Sequence, residues 1–196
     1  MPNERMTDRI PSIVAESLEV KRAFFSQHAD EVRRASEMIV GALRSGGKLL
    51  VFGNGGSAAD SQHIAGELVN RFLQSRKGLP AVALTTDGGV LTCIANDSGF
   101  DKVFARQIEA LGREDDVCLA VSTSGQSPNI VVACEAARSR RLKVIGLLGR
   151  DGGRVAPLCD LALVVASNDT QRIQETHNLI GHILCELIES EMFPEG

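Results

Sequence analysis

Tryptophan and tyrosine are absent, and the 4% of aromatic residues is all phenylalanine. A core must therefore come from aliphatic side chains, for which a hydrophobic fraction of 43% is ample. No apolar run approaches the roughly 20 residues that cross a bilayer, so no membrane partner is expected. The first residues, MPNERMTDRIP, are polar and lack the apolar stretch of a secretory leader, so a cytoplasmic location is expected. Neither sign of charge dominates: 21 basic and 25 acidic residues are mixed along the chain. That balance argues against a nucleic-acid partner, which calls for a basic patch or stripe. Cys93, Cys118, Cys134, Cys159 and Cys185 are widely spaced, and none forms a Cys-x-x-Cys pair. A zinc ribbon and a thioredoxin-type site are thereby disfavoured, and all five read as reduced thiols packed in a core. The 196 residues suit one domain, 1–196, with no linker, repeat or low-complexity segment to divide it.

What is present is a regular alternation. Residues 12–45 carry apolar side chains at helical spacing, among them Ile13, Leu18, Phe24, Phe25, Val32, Met38, Ile39 and Leu43, and Ser45-Gly46-Gly47 is a stop signal. Short apolar runs follow at 48–52, 80–84, 117–121, 143–148 and 161–165, each followed by small or polar residues and then by a helical stretch. A long amphipathic segment at about 170–192 ends the chain. Strands alternating with helices predict a parallel sheet in a layered α/β fold, and strands apolar throughout predict a sheet covered on both faces. In such sheets ligands bind beyond the carboxyl ends of the strands.

Two loops at those ends are unusual. Gly53-Asn54-Gly55-Gly56-Ser57 follows the first strand and opens a helix running to about residue 72. Its glycines let the backbone approach a ligand, and the helix start offers unpaired N–H groups. A plain strand-to-helix turn would read the same way, and the loop matches neither a Walker P-loop nor a Rossmann G-x-G-x-x-G. Ser122-Thr123-Ser124-Gly125-Gln126-Ser127 follows the third strand and opens a helix over Pro128–Arg140. One hydroxyl there serves as a cap; four exceed what a cap requires and suit an anion at a helix N-terminus.

His63 and Glu67 are four apart on the helix after the first loop, so both side chains share one face. Gln174 and His182 are eight apart on the last helix, within one half of its surface. Two imidazoles, a carboxylate and an amide make a four-ligand metal set if the two helices meet. A solvated His/Glu pair and a core histidine are the alternatives, and spacing does not choose between them.

FGNGGSAADSQH, STSGQS, the segments Ala95–Phe100 and Arg172–His177, and the strand–helix alternation together resemble the sugar isomerase (SIS) domain family, and within it the phosphoheptose isomerases, over about residues 20–192. The resemblance implies a three-layer sandwich with a five-stranded parallel sheet in flavodoxin-like order and added N-terminal helices. It implies zinc, one per subunit, on His63, Glu67, Gln174 and His182, with Glu67 as catalytic base and His182 as partner acid/base. It implies a sugar-phosphate substrate: Gly55, Gly56, Ser57, Ser122, Thr123, Ser124 and Ser127 at the phosphate, and Asn54, Asn96, Asp97 and Gln174 at the sugar. Arg71 meets the substrate or is a surface cation. The implied reaction converts sedoheptulose 7-phosphate to an aldose phosphate through an enediolate, and the implied assembly is a homotetramer. Some relatives carry an aspartate where this chain has Gln171, and Asp169 lies two positions early. A non-catalytic SIS adaptor that binds the replication initiator DnaA is the competing function; it would need neither Glu67 nor His182. A sugar-phosphate-sensing regulator needs a fused DNA-binding domain, for which 196 residues leave no room.

Overall fold

Along a strand successive side chains point to opposite faces. Leu49 and Val51 belong to one apolar cluster, Leu50 and Phe52 to another, and all four are buried. The same alternation runs through Leu119 and Ala120, then Leu147 and Leu148. A sheet with two apolar faces needs a helical layer on each, and that is what forms. In the computed structural model, which describes residues 9–194, the chain runs α1 (Ile10–Arg44), β1 (Leu49–Gly53), α2 (Gly56–Val69), β2 (Ala81–Ala83), α3 (Gly88–Ser98), α4 (Ala105–Leu111), β3 (Val117–Ser122), α5 (Pro128–Ser139), β4 (Lys143–Gly149), β5 (Leu161–Val165) and α6 (Thr170–Met192).

All five strands are parallel, in the order β2-β1-β3-β4-β5. This is the flavodoxin-like arrangement expected from the sequence. One face carries α1, α2 and α6, whose Phe24, Ile39, Ile64, Leu68, Ile180 and Leu184 pack on Val51, Leu119 and Leu147. The other carries α4 and α5, with Ile108, Ile130 and Cys134 against Phe52 and Leu148. Each fully buried Leu or Ile stabilises by roughly 1.5–3 kcal/mol, so two such faces supply most of the driving force for this fold. None of the described helices is long and apolar enough to cross a membrane.

Three expectations change. The N-terminal helical region is a single helix broken at His28 (φ −121°, ψ 15°). Its second half buries a stripe of Val32, Ala35, Ile39, Val40 and Leu43, while Ile10, Ile13, Val14 and Leu18 in its first half are between 40% and 57% exposed. Cys93 is not a core thiol. It lies exposed on α3, a helix with no buried residue, whereas Cys118, Cys134 and Cys185 are buried as expected and Cys159 is partly so. The helix after β1 ends at Val69, short of residue 72.

His177 on α6 is 1% exposed, its Nε2 bonded to the Leu148 carbonyl at 3.0 Å and its Nδ1 without a partner. Burial pushes its pKa down from 6.5 to about 4, against the smaller opposing effect of that bond. Between those values the unfolded chain binds the extra proton and the folded chain does not. Stability is therefore full above about pH 6.5 and falls as the pH drops toward 4. Urea midpoints should decrease from pH 7 to pH 5, and His177→Asn should flatten that dependence. Equal slopes for both proteins would contradict it.

Candidate active site

α2 and α6 lie side by side on one face of the sheet, and their separation is set by the smallest side chain available. A Cβ built on Gly181 would stand 3.0 Å from the Ile64 side chain, so glycine lets the helices close at this level. The next residue on α6 is His182, and the residue before Ile64 is His63. Their Nε2 atoms meet at 2.7 Å, with one ring donating and the other accepting. Glu67, one turn along α2, places Oε1 3.6 Å from His63 Nε2. The Phe72 ring stacks on His182 with centroids 5.7 Å apart. The structure thus brings together three of the four residues singled out in the sequence, from helices more than a hundred positions apart.

The fourth stands elsewhere. Gln174 donates from Nε2 to Asp60 Oδ2 at 3.2 Å and lies over Gly56, where a Cβ would sit 2.1 Å from its amide nitrogen. Ligation by Gln174 would require its side chain to turn toward His63. Asp60 is nearly buried, and burial raises its pKa although Gln174, Asn178 and His63 oppose the rise. A cleft of about 460 Å³ lined by Lys21, Asp60, Gln171, Gln174, Glu175 and Asn178 opens at this level.

Tetrahedral zinc, with bonds of roughly 2.0–2.1 Å to nitrogen, holds its donors ~3.3 Å apart. The two imidazole nitrogens are closer than that, and Glu67 Oε1 is near it. Among the described residues no three His, Cys, Asp or Glu side chains already have the spacing of a finished metal site. The donor chemistry nonetheless fits: two Nε2 atoms and a carboxylate point to one spot, and each is at least partly exposed. Cys185 lies beside Glu67, but burial first, and then the neighbouring carboxylates, push its pKa up to about 12, so it stays a protonated thiol.

The hydroxyl-rich loops meet at the carboxyl end of the sheet. Gly55 caps α2, Ser57 is buried in its first turn, and Ser127 caps α5 without a bond from its own hydroxyl. Ser122 Oγ accepts from Gly125 N and Ser124 Oγ from Gln126 N. Thr123 has its carbonyl against Gly149. Asn54 exchanges two amide bonds with Asn129, at 2.9 and 2.8 Å, which tie the two loops together. Both polar atoms of Asn54 are thus engaged within the protein. Asn96 and Asp97 are exposed on α3 and bonded to each other, and among the described residues neither hydrogen-bonds to His63, Glu67 or His182. Arg71 is exposed and, among the described residues, has no ion-pair partner. Asp169 caps α6 by accepting from Gln171 and Arg172 N–H, so it is spent on the helix start.

Sequence reasoning missed Asp60, Phe72, Asn129 and Arg150. The last lines a cleft of about 480 Å³ with Ser124, Gln126 and Asp151. Its signal was its place just after β4, at the strand ends where ligands bind.

Known proteins share this layout. The family model described as SIS domain matches residues 14–149. A phosphoheptose isomerase of Solidesulfovibrio magneticus is 50% identical over 184 residues, 94% of this chain and 90% of its own length. One from Burkholderia pseudomallei is 48% identical and 98% of each chain is covered. The solved phosphoheptose isomerase of Neisseria gonorrhoeae superimposes with a TM-score of 0.90 at 43% identity, covering 95% of this chain and all of that one.

Proposed function

Since the chain belongs to the SIS domain family and, within it, to the phosphoheptose isomerases, we propose that it converts sedoheptulose 7-phosphate to D-glycero-D-manno-heptose 7-phosphate through an enediolate. This is the first step toward ADP-heptose and the heptose units of lipopolysaccharide and related glycans. The observation that carries the reading is the meeting of His63, Glu67 and His182 between α2 and α6.

The phosphate sits unreacted among Ser57, Ser122, Thr123, Ser124 and Ser127, where helix N-termini supply N–H donors. His63 and Glu67 follow Ser57 by six and ten residues, roughly 9 and 15 Å along the helix axis. The anion anchors one end of an extended molecule while the reacting carbons lie at the other, so remote binding fixes their position. Glu67 takes the proton from C1 of the ketose as His182 gives one to the C2 oxygen, leaving an enediol. His182 then takes the proton of the C1 hydroxyl, and Glu67 returns its proton to C2, which completes the aldose. His63, Glu67 and His182 would hold a zinc ion, which would supply Lewis-acid polarisation of the carbonyl, and Glu67 and His182 would have to leave its coordination to carry protons. Gln174 joins this set only after leaving Asp60.

The same reading gives a homotetramer. It is supported by the exposed apolar first half of α1 and by α3, which buries nothing in the single chain. Light scattering should give four times the 21.0 kDa chain mass, and a monomer would exclude it. A DnaA-binding adaptor would have no use for the imidazole–carboxylate cluster, and the matched relatives carry isomerase names over more than 90% of this chain.

The test is incubation of purified protein with sedoheptulose 7-phosphate, with and without chelator. Aldose phosphate should form, less of it with chelator, and added zinc should restore the rate. No product under any of the three conditions would reject the isomerase reading.

A further inference from the structure

Among the described residues His182 makes one hydrogen bond, to the more exposed His63, so something else must set the plane of its ring. Phe72 stacks on that ring, and Phe72 belongs to a segment without regular structure. Such a segment would wander unless held, and its holder is buried nearby. Glu189, 1% exposed and two turns beyond His182 on α6, accepts four hydrogen bonds. Its Oε1 takes Phe72 N–H at 2.9 Å and Arg76 Nε at 2.8 Å; its Oε2 takes Leu73 N–H at 2.7 Å and Gln74 N–H at 2.9 Å. Burial alone would raise its pKa, but these donors outweigh burial and hold it below the usual carboxylate value. Arg76 then reaches the other helix. Its guanidinium donates to the Glu67 carbonyl at 3.0 Å and the Leu68 carbonyl at 2.7 Å, capping the free end of α2.

We infer that Glu189 is a positioning residue for the reaction: with Arg76 it clamps the end of α2 to α6 and sets Phe72 against His182, fixing the imidazole–carboxylate geometry. Glu189 touches neither substrate nor the reacting atoms. It acts mainly through the backbone N–H groups of Phe72, Leu73 and Gln74, which only proline at those positions would remove. The inference rests on the cluster being the active site.

Glu189→Gln tests it, because one carboxamide oxygen cannot accept from four donors and its NH₂ faces other N–H groups. Misplacing a reacting group by about 1 Å can cost ~10²-fold, so kcat should fall by about 10-fold or more while KM stays within about 2-fold. Imidazole ¹⁵N spectra of the metal-free protein at one fixed pH should lose the signature of the His63–His182 hydrogen bond. Lys48→Met is the control: it breaks the partly buried Lys48–Asp116 pair under the far end of the sheet and should lower the melting temperature with kcat and the imidazole spectrum unchanged. Phe72→Leu, which spares the clamp, should reproduce the loss of kcat and the spectral change, and it decides the matter alone if Glu189→Gln does not fold. A folded Glu189→Gln, or a Phe72→Leu, with the parent's kcat and imidazole spectrum would overturn the inference. If the parent protein itself isomerises no sugar phosphate, the function fails separately, and the imidazole spectra still read the clamp.

Discussion

Glu67→Gln should lower kcat by about 10²-fold or more with little change in KM, since general-base catalysis contributes that much and the amide keeps the shape of the side chain. The residue is 26% exposed at its side chain, and its contact with His63 is a loose 3.6 Å, so removing the charge costs the fold little. Surface pairs of this kind contribute roughly 0–1 kcal/mol. The variant should therefore melt with the parent while failing to turn over. That separation is the informative part, because a loss of activity with a loss of stability would say nothing about chemistry. Near-normal turnover would remove Glu67 from its role and turn attention to Asp60, whose pKa burial raises about two turns earlier on α2.

Gly125→Ala should damage the phosphate end of the site, as Glu67→Gln damages the reactive end. Gly125 has φ +62°, and a Cβ there would sit 2.1 Å from the Gly152 carbonyl oxygen. A left-handed backbone costs a non-glycine residue about 1–3 kcal/mol, and here a backbone clash adds to it. The loop cannot yield freely, since Gly125 O also accepts from Val155 N–H at 3.1 Å. Ser122, Thr123, Ser124 and Ser127 would be displaced together, so KM for the phosphosugar should rise by about 10-fold or more through lost anchoring of the anion. Urea unfolding should move to lower concentration as well. Gly46→Ala offers the comparison: its φ is +82°, but a Cβ there meets open space, so it carries strain without a clash and lies far from the site. Similar KM values for Gly125→Ala and the parent would show that this loop does not hold the phosphate.

The sheet was legible because strands buried on both faces are written as unbroken apolar runs. Residues 117–121 and 161–165 fall within β3 and β5, and the edge strand shrank only to Ala81–Ala83. The hydroxyl-rich loop after β3 was legible for a similar local reason, since four hydroxyls and a glycine lie within six residues. The reactive cluster was only half legible. Helical spacing put His63 and Glu67 on one face, but the meeting with His182 depends on Gly181 facing Ile64, a contact between residues far apart in the chain. The Glu189 clamp left no trace, because its partners are backbone N–H groups that any sequence supplies. The exposure of Cys93 was hidden too. Its neighbours Ile94 and Ala95 are apolar, yet α3 lies on the surface of the single chain with none of its residues buried. Asn129 reads as a helix residue until Asn54 is seen across from it.

Turnover of sedoheptulose 7-phosphate in D₂O, followed by NMR of product and recovered ketose, goes most directly to the chemistry. A proton carried by Glu67 between C1 and C2 exchanges with solvent, so deuterium should appear at C2 of the aldose and wash into C1 of the unreacted ketose, and Glu67→Gln should lose both. Steady turnover with only protium at C2 would mean that hydrogen moves between the carbons without passing through the carboxylate, and would contradict the account.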